Sequence, residues 1–205
     1  EISLGLVGSE MCIRDRTLYL LGILLREENA HLPFPLVLTG PVVAAPYFEQ
    51  IDTFIRLTLG EAAASRYQII IGDPVAVAQA MKAGIAKVRE HRKEARDAYY
   101  FNWSIDIPLA FQQPFAPTHE AMAQLDLHHG RAPHAIAADL RRAFSGIVAG
   151  NVKEDGMRRI EEFGPFEIHG DPQIMAALDD LLQAFVAQRR MKIAGDYKPC
   201  YRVVT

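Results

Sequence analysis

Several things are scarce in this chain, and each scarcity narrows what the chain can be. Cysteine is nearly absent: Cys12 and Cys200 are the two in 205 residues, with no metal-ligand spacing and no partner histidine cluster. A reducing, cytoplasmic setting is therefore the expected one. Charge of one sign is not in excess. Lys and Arg number 22 against 25 Asp and Glu, for a net charge of -3, so there is no global pull toward nucleic acid or an anionic membrane. Long apolar runs are missing too; none approaches the roughly 20 residues of a membrane-spanning helix. The first residue is Glu1 rather than Met, and Ser3 to Gly8 is too short for a signal-peptide core with no basic segment before it. An N-terminus processed or cut is expected. A glycine-rich phosphate loop of the dinucleotide or P-loop type is also missing, because Gly5-Leu6-Val7-Gly8 lacks the helix logic that should follow it. No internal repeat or low-complexity stretch occurs.

What remains is an ordinary globular composition, with 50% hydrophobic and 23% charged residues, and a length that suits one large domain or two small ones. Leu18, Leu21, Gly22 and Leu25, widened by Leu20 and Leu24, predict a helix from Thr17 that is apolar nearly all round, hence buried. Phe34 to Gly40 predicts a strand buried on both faces. Phe48, Ile51, Phe54, Ile55 and Leu59 predict a helix ending near Gly60, and Tyr67 to Ile71 a second strand. Asp73-Pro74 reads as the N-cap and first position of a helix that turns Val77, Met81, Ile85 and Val88 inward. Strand, helix, strand, helix is the pattern of a doubly wound parallel sheet.

The composition shifts at the charge run Arg89 to Asp97, which reads as a solvated helix end. The aromatic segment Tyr99 to Trp103 and several prolines follow, and we read them as the entry to a second module. Helices are expected at about Pro133 to Gly150, around Met157, Ile160 and Phe163, and from Asp171-Pro172 through Val186; Tyr201 to Val204 is expected as an edge strand. The fold class is thus α/β: the C-terminal half of a Rossmann-like sheet, then a mainly helical α+β domain.

No complete catalytic constellation stands out. His128, His129 and His134 read as surface loop residues rather than metal ligands, and Glu161-Glu162 and Asp179-Asp180 point too far apart on helices for paired acid–base work. Two segments carry weight. Thr39 and Gly40 end a parallel strand, where such sheets bind ligands; the alternative is a turn that needs glycine. Arg141 and Arg142 sit on a helix whose end, Gly146 to Gly150, is small and glycine-rich, and guanidiniums bind phosphate bidentately. A helix packed tightly against another domain or subunit is the competing reading.

The segments Thr17 to Leu24, Phe34 to Gly40, Tyr47 to Asp52 and Tyr67 to Ile71 resemble the second half of a LOG-type phosphoribohydrolase domain. Asn102-Trp103-Ser104, Ala138 to Glu154, Ile160 to Pro165 and Phe185 to Gln188 narrow the resemblance to the pyrimidine/purine nucleotide 5′-monophosphate nucleosidase family of LOG relatives with an extra C-terminal domain. The resemblance implies hydrolysis of the N-glycosidic bond of AMP or a pyrimidine nucleotide to free base and ribose 5-phosphate, with no metal or redox cofactor. It implies a homo-oligomer and a response to guanosine tetra- or pentaphosphate, for which Arg92, Arg96, Arg141 and Arg142 are the candidate residues because polyphosphate needs clustered guanidiniums. It also implies a catalytic signature, Pro-Gly-Gly-x-Gly-Thr-x-x-Glu, just before Thr17. There, glycines and a helix N-terminus hold the 5′-phosphate, and a carboxylate stabilises oxocarbenium character or orients water.

That signature does not occur in these residues. Cys12 to Arg16 stands where it should end, and Asp15 alone lies near the expected glutamate. Residues 1–16 resemble translated adapter sequence and are expected to be a non-native tail, with 17–95 the second half of the LOG domain and 96–205 the C-terminal domain. The chain alone is expected to be inactive, with no catalytic residue of its own. The reading from a different class is a non-catalytic module that binds nucleotide or alarmone.

Overall fold

The computed structural model describes residues 9–96, 105–188 and 197–204. Gly5-Leu6-Val7-Gly8, Asp97, the aromatic segment Tyr99 to Trp103 and Ser104 lie outside the described residues. In chain order the elements are α1 (Ser9–Leu24), α2 (Glu27–Ala30), β1 (Val37–Gly40), a 3-10 turn (Val42–Ala44), α3 (Ala45–Leu59), α4 (Glu61–Ala64), β2 (Gln68–Ile71) and α5 (Pro74–Glu94). Then follow α6 (Leu109–Gln112), α7 (His119–Ala123), β3 (Asp126–Leu127), α8 (Pro133–Val152), α9 (Glu154–Phe163), β4 (Phe166–Gly170), α10 (Pro172–Ala187) and β5 (Tyr201–Val204).

The first region is a parallel pair. β1 and β2 run in register from Val37 opposite Gln68 to Gly40 opposite Ile71. Its helices form for visible reasons. α3 repeats its apolar residues at three- and four-residue steps and buries Phe48, Ile51, Phe54, Ile55 and Leu59. It stops where Gly60 takes φ of 81°, a conformation glycine adopts without cost. α5 starts where Asp73 accepts a hydrogen bond from the Ala76 amide at 2.8 Å, with Pro74 at its first turn. From Thr17 onward α1 is apolar nearly all round and buried as its pattern predicts, with Leu18, Leu21 and Leu24 at most 1% exposed. It begins at Ser9, however, and not at Thr17.

Two further expectations fail here. The strands are not buried on both faces: Thr39 and Gln68 are exposed and Ile69 to Ile71 only partly covered. α5 has no buried residue at all, and Ile85 is exposed. The reason is geometric. A sheet of two strands offers a 21-residue helix little surface to cover.

The second region is mixed α/β, with three parallel strands in the order β3-β4-β5. β3 reaches β4 through α8 and α9, and β4 reaches β5 after α10, so helical crossovers connect parallel neighbours as the parallel geometry requires. The expected α+β segregation is therefore replaced by a small parallel sheet. The tail Tyr201–Val204 pairs at the sheet edge, as its pattern predicts. β4 alternates buried Phe166, Ile168 and Gly170 with half-covered Glu167 and His169. α8 buries Ile136, Leu140, Phe144 and Ile147, and α10 buries Ile174, Leu178, Leu182 and Phe185. α9 forms around Met157, Ile160 and Phe163 as expected and stops at Gly164; Ile160 packs on the core, while Met157 and Phe163 are exposed.

One hydrophobic core runs through both regions. Leu18 and Leu21 of α1 and Phe54 of α3 belong to the same cluster as Leu140 and Phe144 of α8 and Phe185 of α10. Phe54 and Phe144 meet edge-on with ring centroids 5.6 Å apart.

Candidate functional site

The carboxyl ends of β1 and β2 form the first candidate region. Thr39 is exposed there, and Gly40 faces Ile71 across the pair. Gly40 has a packing reason to be glycine, since a Cβ would come within 2.7 Å of the Phe48 ring. The same edge carries exposed Val42, Val43 and Val75. Gly72 closes it, with φ of 71° and a backbone hydrogen bond to the Gly40 carbonyl at 2.9 Å.

The four candidate arginines do not form one cluster. Arg92 lines a small apolar cavity with Leu32, Phe34, Val88 and Ile105, near the end of α5. Arg96 is exposed just beyond that helix, at φ of 52°. Arg141 and Arg142 line a separate cavity of about 340 Å³ between α8 and the α6–α7 segment, with Phe111, Gln113, Phe115 and Gln124.

Around α8 the charges are organised by a residue that the motif reading passed over. Asp139, its side chain 8% exposed, receives Arg131 at 2.6 Å and Arg142 at 3.0 Å and also accepts the Asp126 amide at 3.3 Å. The sequence does hold a signal for it. Asp139 lies on the buried stripe between Ile136 and Ala143, where a carboxylate has to be paired. Arg141 points elsewhere and donates from Nε to Asp15 of α1 at 3.2 Å. Arg14, also on α1, is buried with its guanidinium 3.9 Å over the Phe144 ring.

The histidines are held by aspartates at the carboxyl edge of the second sheet. His128 Nδ1 lies 2.5 Å from Asp126, and this contact, ahead of the charge of Arg131, holds the Asp126 carboxyl below its usual range. His129 donates its backbone N–H to Asp171 at 2.7 Å, and its ring nitrogens lie 2.9 Å from Asp171 and 3.2 Å from the Leu57 carbonyl. His134 stands apart at the start of α8, where burial lowers its affinity for a proton. Among the described residues no group of three His, Cys, Asp or Glu side chains is placed to hold a metal ion. Asp179 accepts from Tyr197 at 2.9 Å and Tyr201 at 3.2 Å, fastening the C-terminal strand to α10. Cys200 is buried against α8, and burial pushes its thiol up to about 11, so it is a packing residue and not a nucleophile. No helix among the described residues is long and apolar enough to cross a membrane.

Parallel strands joined by helical crossovers define the chain as a mixed α/β protein. Residues 85–204 match the family described as pyrimidine/purine nucleotide monophosphate nucleosidase, C-terminal, and the chain belongs to that family. It is 54% identical over 192 residues to proteins named pyrimidine/purine nucleotide 5′-monophosphate nucleosidase from Escherichia coli strain K12, from E. coli O6:H1 and from E. coli O157:H7. The match covers 93% of this chain and 42% of each relative, so the chain spans about two fifths of the length of the curated relatives it matches.

Proposed function

We propose that this chain is the C-terminal part of a nucleoside 5′-monophosphate N-glycosidase, which splits AMP or a pyrimidine nucleotide with water into free base and ribose 5-phosphate. The observation that carries the reading is the 54% identity along nearly the whole chain to proteins named for nucleotide nucleosidase activity. In this reading residues 17–95 are the second half of a Rossmann-like LOG domain and 96–205 the C-terminal domain. The catalytic sheet continues beyond β1 and β2, which accounts for half-covered strands and an α5 without a buried residue. Thr39 and Gly40 face the substrate from the carboxyl edge. The phosphate loop and the catalytic carboxylate belong just before Thr17, where residues 1–16 stand instead, and the chain by itself is inactive. The working enzyme is a cytoplasmic homo-oligomer.

The decisive experiment incubates the purified chain with AMP and follows adenine by chromatography. No release is expected, and appreciable release sinks the claim of inactivity. Joining the native upstream segment to Thr17 should restore release; if it does not, the nucleosidase reading itself is wrong.

One observation favours a second reading, binding of nucleotide or alarmone without catalysis: the cavity that Arg141 and Arg142 line beside two phenylalanines. Guanosine tetraphosphate should then bind in calorimetry, more weakly after Arg141→Ala with Arg142→Ala. The distant placement of Arg92 and Arg96 counts against a single site built from all four arginines.

A further inference from the structure

Single exposed apolar residues are ordinary on a protein surface; three valines on two adjoining turns are not. Val42 and Val43, in the 3-10 turn that follows β1, are 71% and 81% exposed, and Val75, in the first turn of α5 after β2, is 64% exposed. The two turns are built to touch. Gly72 donates its backbone N–H to the Gly40 carbonyl at 2.9 Å. Val42 lies so close over Gly72 that a Cβ there would come within 2.5 Å of a valine methyl. The missing side chain of Gly72 is therefore the room that Val42 occupies.

Residues 40–46, Gly-Pro-Val-Val-Ala-Ala-Pro, and 72–76, Gly-Asp-Pro-Val-Ala, carry one charged side chain between them. It is Asp73, whose carboxylate accepts from the Ala76 amide. No side chain of either turn can donate to a phosphate, and the aspartate opposes one. What the turns offer is an apolar shelf. Further strands would join β1 and β2 side by side at about 4.8 Å spacing, with their crossover helices on the faces of the sheet. Neither covers the turns at the carboxyl ends, which form the crevice where open parallel sheets hold ligands.

We propose that Val42, Val43 and Val75 are specificity-determining residues of the nucleosidase site: the ring of the nucleotide base lies on this shelf, while ribose and phosphate are held by other groups. The proposal rests on the nucleosidase reading above and adds which part of the substrate meets the two turns. Covering valine methyls with a ring removes apolar surface from water, and a purine covers more of it than a pyrimidine does.

The test uses the full-length enzyme, with its native upstream segment joined to Thr17. A wild type that releases no adenine from AMP overturns the nucleosidase reading, and this proposal with it. A wild type that cleaves AMP, with a variant that behaves like it, overturns this proposal alone. In Val42→Ser with Val43→Ser, KM for AMP should rise about tenfold with kcat within about twofold, the pattern of a contact made equally in ground and transition states. KM for uridine monophosphate should rise less. The inhibition constant of ribose 5-phosphate, which has no base, should stay within about twofold. An equal rise in that constant overturns the proposal, because the turns would then shape the phosphate end. A lower Tm with wild-type KM overturns it too and assigns the shelf to a contact with the upstream part of the protein. Should the double variant fail to fold, Val43→Ala decides: KM for AMP has to rise about threefold with the ribose 5-phosphate constant unmoved, and wild-type KM overturns the proposal.

Discussion

The two parallel sheets of this molecule are built from similar pieces and end in different states. β4 has neighbours on both sides and hides Phe166, Ile168 and Gly170 in the core. Among the described residues β1 and β2 have only each other, leave Thr39 exposed, and carry α5 with nothing buried. Local propensity does not account for the contrast, since α5 is properly capped and Ile69 to Ile71 are good strand residues. Coverage accounts for it: burial needs a second surface, and the first sheet is two strands wide. α1 complicates the division. It precedes the first sheet in the chain, yet its buried face shares the core of α8. Core boundaries and sequence boundaries thus fall in different places.

The sharpest way to break this comparison is to remove one large side chain from each region. Phe144 is fully buried and touches Phe54 and Arg14 across the two regions. Phe144→Ala should cost about 3–5 kcal/mol in denaturant unfolding and loosen both regions together. Ile85→Ala, on the open side of α5, should cost less than about 1 kcal/mol. Equal losses would remove the asymmetry. Next in size is Asp139→Ala, which leaves Arg131 and Arg142 facing each other without their shared carboxylate. The loss should be about 2–3 kcal/mol, below the figure for a fully buried pair because both arginines are about a third exposed. Urea midpoints of Asp139→Ala and Asp139→Asn check it, and a wild-type midpoint in both would show that the network contributes nothing.

The same contrast explains what could be read from the residues alone. α3, α8 and α10 were legible because apolar residues recur at helical steps and because Gly60, Pro133 and Asp171-Pro172 mark their ends. β5 was legible as a short β-branched run, Val203-Val204. β3 was not, because two residues, Asp126 and Leu127, have no period to detect. The inward face of α5 was misread because Val77, Met81, Ile85 and Val88 have the right spacing but no partner surface, and spacing carries no information about what lies opposite. At the candidate site, composition pointed to Arg141 and Arg142, but not to their division of labour, which depends on Asp139 and on α1 lying alongside α8. Asp171 is the reverse case. It sits at the start of α10 as an N-cap would, yet makes no side-chain cap and gives its carboxylate to His129 instead.

A smaller effect sharpens the comparison at α5. Asp73→Ala removes the cap on the Ala76 amide and should cost about 1 kcal/mol. Because α5 buries nothing, the loss should show as faster amide exchange confined to its first turns. Exchange accelerated throughout β4 and α10 would mean that α5 is coupled to the second region after all.

The smallest effect tests the clasp between the regions. Asp171 accepts the His129 backbone N–H and ring, while the far side of that ring reaches the Leu57 carbonyl near the end of α3. The backbone N–H of His129, then its ring, hold the Asp171 carboxyl below the usual range. A carboxylate depressed in the folded state stabilises the protein above its unfolded pKa, and that stabilisation is lost as pH falls through the folded value. The Tm difference between wild type and Asp171→Asn should therefore be complete at neutral pH and close on acidification, as pH falls through the lowered folded-state value. A gap that persists in acid would assign the clasp to shape and not to charge. The form of the transition matters as much as its midpoint. Because Phe144 and Phe54 still join the two regions in the variant, unfolding should remain a single step. If Asp171→Asn melts in two separated steps, the shared core is weaker than its geometry implies, and the first sheet and the second are independent folding units.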